Sequence, residues 1–275
     1  MTYQDILVFL DDGSTNDTRV RTGFHFAKLH NAKLTGVSLA TMKPRSVRTD
    51  SSKVRRRMSQ EMAEQLTSEF MEKAESQNVK AKSIIIAGDS DESTIKMVHY
   101  AHNYDLLILR QPNPDQENYS RLTSLSETVL LKSGRPILFM PYIGTDKCPG
   151  RRVMITWDGT ASSCRAAHNA IPVLQQADEV VLVIVENEKT RSTIPASVMD
   201  GFVEHFNNHG VDLTVRRVIQ GSYDTATVVL NEVAETATDL LVMGGYGRPS
   251  LQQKIFGGVT KSILSSMIVP VLMSH

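Results

Sequence analysis

Short, continuous apolar runs alternate along this chain with longer stretches in which apolar side chains recur every three or four positions. The runs are too short for buried helices and rich in β-branched residues, so they predict strands covered on both faces, while the stretches between them predict amphipathic helices. In the first half the predicted strands are Ile6 to Leu10, Leu34 to Ala40, Ala81 to Ala87, Leu106 to Leu109 and Ile137 to Met140. Five more follow at Val153 to Trp157, Val180 to Val185, Leu213 to Ile219, Leu240 to Met243 and Val269 to Met273. Strands that alternate with helices predict βα units and a parallel sheet, so the fold class is α/β. Two helical stripes support this register, Met58, Met62, Leu66 and Phe70 in one and Ile255, Val259, Ile263 and Met267 in the other.

The two halves match landmark by landmark, as an internal duplication would leave them. Asp12-Gly13 after the first strand answers Asp158-Gly159, Gly88 answers Gly221, and Asp105-Leu106-Leu107-Ile108 answers Asp239-Leu240-Leu241-Val242. From there the copies align without a gap, placing Arg110 opposite Gly244, Asn113 opposite Gly247, Thr123 opposite Gly257 and Pro136 opposite Pro270. Asp12 to Gly88 is 13 residues longer than Asp158 to Gly221, and the surplus falls around Thr41 to Arg57, a polar stretch. The expected domains are 1–143 and 151–275, each long enough to bury its own core.

Composition narrows the partners. The 275 residues carry 30 basic and 30 acidic side chains, which argues against nucleic acid as a partner, and no apolar run approaches the roughly 18 residues that a membrane span needs. Two cysteines, Cys148 and Cys164, make neither a disulfide framework nor a zinc motif. With no leader-like pattern at MTYQDILVFLDDG, the expected location is cytoplasmic.

Candidate chemistry concentrates after the fourth strand of the second half, in Met243-Gly244-Gly245-Tyr246-Gly247, and again at Gly257-Gly258-Val259-Thr260, where the last helix opens. Glycines at the carboxyl end of a parallel strand let backbone N–H groups approach an anion, and a helix N-terminus favours negative charge. Glycines in such places also make plain turns. A Walker loop is excluded because Lys261-Ser262 follows Thr260 rather than glycine, and a dinucleotide fingerprint because Gly245-Tyr-Gly247 follows the fourth strand and not the first.

Gly244-x2-Gly247-x9-Gly257, set between the fourth strand and the last helix, resembles the nucleotide-binding loop of the universal stress protein family, and the resemblance covers both halves. It implies two tandem five-stranded parallel sheets of strand order 3-2-1-4-5 with helices on both faces. It also implies ATP or another adenine nucleotide, with or without Mg, in the second half. By the same carry-over Thr156, Trp157 and Asp158 line the adenosine side, Ile184 touches the base, and Met243, Gly244, Gly247, Gly257, Gly258, Val259 and Thr260 surround the phosphates. Gly258 stands where that family carries Ser or Thr, and Trp157 is bulky enough either to stack on a base or to block it. The family further implies a pseudo-dimer within one chain, Ile137 to Met140 against Val269 to Met273, and leaves open a homodimer of whole chains.

The first half has Arg110, Asn113 and Thr123 in place of the three glycines, and reads as a degenerate copy. His205 and His209 lack a third ligand at metal spacing and read as solvent-facing, as do His99 and His102; Arg55-Arg56-Arg57 reads as a solvated charge run. With no Walker lysine and no acidic residue committed to a metal, the loop does not ask for phosphoryl transfer. Two functional readings remain: a stress-response sensor or adaptor governed by nucleotide occupancy, and a nucleotide-free scaffold whose glycines are structural.

Overall fold

The computed structural model describes residues 2–42, 50–143, 147–187, 194–247 and 258–275, with the backbone alone for 42 and 50–58. All ten strands are present, and eight helices lie among the described residues. In chain order the elements are β1 Asp5–Leu10, α1 Asn16–His30, β2 Lys33–Met42, α2 Asp50–Ser76, β3 Ala81–Asp89, α3 Ser90–Ala101, β4 Leu106–Arg110, α4 Tyr119–Lys132 and β5 Ile137–Met140. The second series is β6 Arg152–Thr156, α5 Ala161–Leu174, β7 Glu179–Glu186, α6 Ala196–Asn208, β8 Thr214–Ile219, α7 Thr225–Glu235, β9 Leu240–Gly244, α8 Gly258–Ser266 and β10 Val271–Ser274.

They form two compact units, one of Thr2–Arg135 with Tyr142–Cys148, the other of Pro136–Pro141 with Pro149–His275. In the first unit the strands run β3-β2-β1-β4, all parallel. In the second, β8-β7-β6-β9-β10 gives the full 3-2-1-4-5 order. β5 joins this second unit and runs antiparallel to β10, with Phe139 opposite Val271 and Ile137 opposite Met273. The pairing expected between the two halves' last strands is therefore made within one chain, and it covers what would otherwise be an exposed strand edge.

Burial explains the composition of the strands. β1, β4 and β9 are central and almost wholly apolar, whereas the outer strand β8 is mostly exposed and carries Arg216 and Arg217. The α2 stripe differs from the expected one by a single step: Met62 is exposed, and Ala63, Thr67, Phe70 and Ala74 face inward. Small residues win three of those places because the helix lies close to β2, where a Cβ on Gly36 would come within 2.7 Å of the Phe70 ring. Residues 50–57, expected within an inserted polar stretch, lie in α2; Gly257 and Ile255 fall outside the described residues.

Because Phe139 is fully buried beside β10, Phe139→Ala should cost about 3–5 kcal/mol. Urea unfolding followed by circular dichroism should show the midpoint falling with the slope unchanged.

Candidate functional site

A cleft of about 820 Å3 opens at the carboxyl ends of the strands of the second unit, where β6 and β9 lie side by side and the strand order changes direction. Nine of the eleven residues picked out on sequence line it: Thr156, Trp157, Asp158, Met243, Gly244, Gly247, Gly258, Val259 and Thr260. Ile184 does not; it is buried on β7, and its neighbours Val183 and Val185 line the cleft instead, because alternate side chains of a strand face opposite ways. Gly257 lies outside the described residues.

One wall is the first turn of α5. Asp158 accepts hydrogen bonds at Oδ1 from Thr160 N, 3.1 Å, and Thr160 Oγ1, 2.7 Å, while Gly159 takes the left-handed conformation at φ +74°. Thr160 then caps α5 by accepting from Ser163 N at 3.3 Å. The glycine loop packs onto this turn. A Cβ on Gly244 would sit 2.6 Å from Ser163 N, and one on Gly247 would sit 2.6 Å from Ser162 Oγ. These two glycines are thus required by close approach of backbone to helix, and positive φ is instead carried by Tyr246, at +51°. Tyr246 is held there by its N–H donating to Thr260 Oγ1 at 3.0 Å, which ties the loop to the opening turn of α8.

Gly258, the first residue of α8, has open space where its Cβ would be. Trp157 is nearly buried; its indole stacks on Phe202 with ring centres 4.6 Å apart and donates to Cys164 Sγ at 3.4 Å. Glu186, Asn187 and Gln220 also line the cleft: Asn187 Nδ2 donates to Gln220 Oε1, 3.0 Å, and Arg217 donates to Glu186 Oε1, 2.7 Å. Sequence reasoning missed Ser162, Ser163, Asn187 and Gln220. The Asp-Gly-Thr-x-Ser pattern after β6 could have flagged the helix cap, but nothing local marks the two amides.

The family model for the universal stress protein family matches residues 2–141 and again residues 150–275. The chain belongs to the universal stress protein family. Its tandem form has solved counterparts. A universal stress protein from Archaeoglobus fulgidus DSM 4304 is 17% identical over 98% of this chain and 97% of that one, with a TM-score of 0.75. A putative universal stress protein from Pseudomonas aeruginosa UCBPP-PA14 is 14% identical over 99% and 93%, with a TM-score of 0.61. A functionally unknown protein from Pseudomonas aeruginosa PAO1 is 13% identical over 99% and 92%, with a TM-score of 0.64. No curated protein sequence matches. At these identities the likeness shows the fold.

In this universal stress protein the corresponding place in the first unit is filled by the chain itself. Arg110, at the end of β4 opposite Gly244, donates from Nη1 to Asp11 Oδ2 at 2.8 Å, and Arg19 donates from Nη2 to Asp11 Oδ1 at 2.7 Å. Both arginines are buried, and a Cβ on Gly13 would meet Arg110 Nη1 at 2.6 Å. Burial alone would raise the Asp11 carboxyl, yet the two guanidiniums, through charge and hydrogen bonds, hold it below the usual carboxylate range.

Removing the shared anion strands two buried cations. Asp11→Asn should therefore destabilise the protein by about 3–5 kcal/mol at pH 7, read from the urea midpoint. Because the folded carboxyl is the more acidic, wild-type stability from this group is complete above the ordinary aspartate value of about 4 and is lost as pH falls through the lower folded value. The gap between wild type and Asp11→Asn should accordingly narrow in acid.

Proposed function

We propose that this universal stress protein binds ATP or another adenine nucleotide in the cleft of its second unit and serves the stress response as a sensor or adaptor governed by occupancy. The observation that carries the reading is the convergence of the two glycine-bearing segments, Gly244 to Gly247 and Gly258 to Thr260, on one cleft whose volume suits a nucleotide. The apolar stretch formed by Val183, Val185, Val229 and Ile219 offers a base its faces. The start of α8 offers phosphates its N–H groups and its dipole. Among the described residues no three His, Cys, Asp or Glu side chains gather as a metal cluster, so a Mg ion would arrive with its nucleotide. Occupancy acts through mass action, which stabilises the bound state by about 2.7 kcal/mol at a hundredfold excess over Kd.

A second reading, a nucleotide-free scaffold, is favoured by one observation: Gly244 and Gly247 are demanded by packing on α5 whether or not a phosphate is bound. The readings separate experimentally. Small molecules released from gently purified protein should include an adenine nucleotide by mass spectrometry, and calorimetric titration with ATP, ADP and AMP should show one site per chain. A null across all three favours the scaffold.

Gly258→Ser adds a hydroxyl into open space at the phosphate end of the cleft. One hydrogen bond to a charged group is worth about 1.5–3 kcal/mol, so affinity for the preferred nucleotide should rise about tenfold or more, without a change in fold. Gly247→Val should abolish binding and also lower the melting temperature, since its side chain meets Ser162.

A further inference from the structure

Outside the cleft, histidines gather where α5 and α6 come together. His168 Nδ1 lies 2.8 Å from the carbonyl oxygen of Cys164, one turn earlier on α5, and His168 Nε2 lies 2.9 Å from His205 Nε2 on α6. A carbonyl can only accept, so Nδ1 carries a proton, which in the uncharged imidazole leaves Nε2 its lone pair, towards His205. A backbone carbonyl that fixes one ring nitrogen as donor is the support that orients imidazoles for metal binding. Both rings are open to solvent, yet each lies against Phe206, at 5.5 and 5.7 Å between ring centres, and Phe206 is fully buried. Two solvent-reachable imidazoles are thereby set against one anchored ring.

The separation of the two nitrogens is that of the N–H···N bond they share, and it also agrees with one coordination geometry. With metal–nitrogen bonds of about 2.0–2.1 Å, two ligands stand about 2.9 Å apart when cis in a square or octahedral field and about 3.3 Å apart in a tetrahedral one. The observed 2.9 Å matches the first. We propose that His168 and His205 form a surface site for a divalent transition-metal ion of the Cu2+ or Ni2+ class, with the two Nε2 atoms as cis ligands and water in the remaining positions. Without metal, His205 donates its Nε2 proton to His168; on binding, that proton moves to His205 Nδ1, and a metal–nitrogen bond replaces the N–H···N bond with no net proton release. His209 stands beside His205, ring centres 4.7 Å apart, but no cluster of three metal-ligating side chains forms among the described residues. The site is therefore an open one with two protein ligands.

The site lies on the far side of the cleft wall. Cys164, whose carbonyl fixes His168, also receives the Trp157 indole N–H, and Phe202 on α6 stacks on Trp157. A bound ion would tie α5 to α6 directly behind a residue that lines the cleft.

The test uses the full chain with metal alone. Calorimetric titration with Ni2+ should give one site per chain, and electron paramagnetic resonance with one equivalent of Cu2+ should show hyperfine coupling to two imidazole nitrogens. His168→Gln and His205→Gln should each weaken Ni2+ binding about tenfold or more and leave coupling to one imidazole at most. His209→Gln should match wild type, and circular dichroism should show all three variants folded. Absence of Ni2+ binding in wild type, or affinity unchanged in folded His168→Gln and His205→Gln, would overturn the proposal.

Discussion

The approach of the glycine loop to the first turn of α5 is the constraint on which the second unit's cleft depends. Strands β6 and β9 are neighbours, so whatever follows β9 must pass over whatever follows β6. At Gly244 and Gly247 the passage leaves no room for a Cβ, because Ser163 N and Ser162 Oγ already stand 2.6 Å from where it would be. The hydroxyl-rich turn Thr160-Ala-Ser-Ser and the glycines are thus two halves of one fit. Tyr246 accepts the strained backbone conformation between them, fastened by Thr260. Packing against α5 therefore keeps the backbone of this loop bare of side chains at Gly244 and Gly247.

The first unit shows what happens when that constraint is lifted. Where the second unit has Gly244, the first has Arg110, and the space beyond the strand ends is taken by a guanidinium that needs an anion. Asp11 supplies it, held from the other side by Arg19. One domain thus presents a cavity and the other a buried cluster of two arginines sharing one aspartate.

Much of this was legible in sequence, for identifiable reasons. Central strands are apolar along most of their length, so β1, β4, β6 and β9 announced themselves, and the matched landmarks carried the assignment across both halves. The glycine positions were legible too, although the physical reason differs in part: a close contact with α5, where approach to an anion had seemed the need. What local pattern could not supply was the side of an element that faces inward. Val183 and Val185, not Ile184, reach the cleft, and Ala63 rather than Met62 faces β2; in both cases neighbouring residues are equally apolar and only the packing partner decides. The Arg19–Asp11–Arg110 cluster was illegible because its members lie 99 residues apart at the extremes of one contact, and the amides Asn187 and Gln220 meet only across β7 and β8.

The strand that completes the second sheet is encoded in the first half of the gene product. During synthesis, Ile137–Met140 leaves the ribosome about 130 residues ahead of Val271–Ser274, an interval on the order of ten seconds at ordinary rates. For that time the edge of this apolar segment that β10 will cover has no partner from its own chain and is open to capture by a neighbouring nascent chain. Tandem fusion removes dilution as a threat to the finished pair, since both strands share one polypeptide, and transfers the hazard to the ribosome, where the order of emergence leaves the first strand waiting.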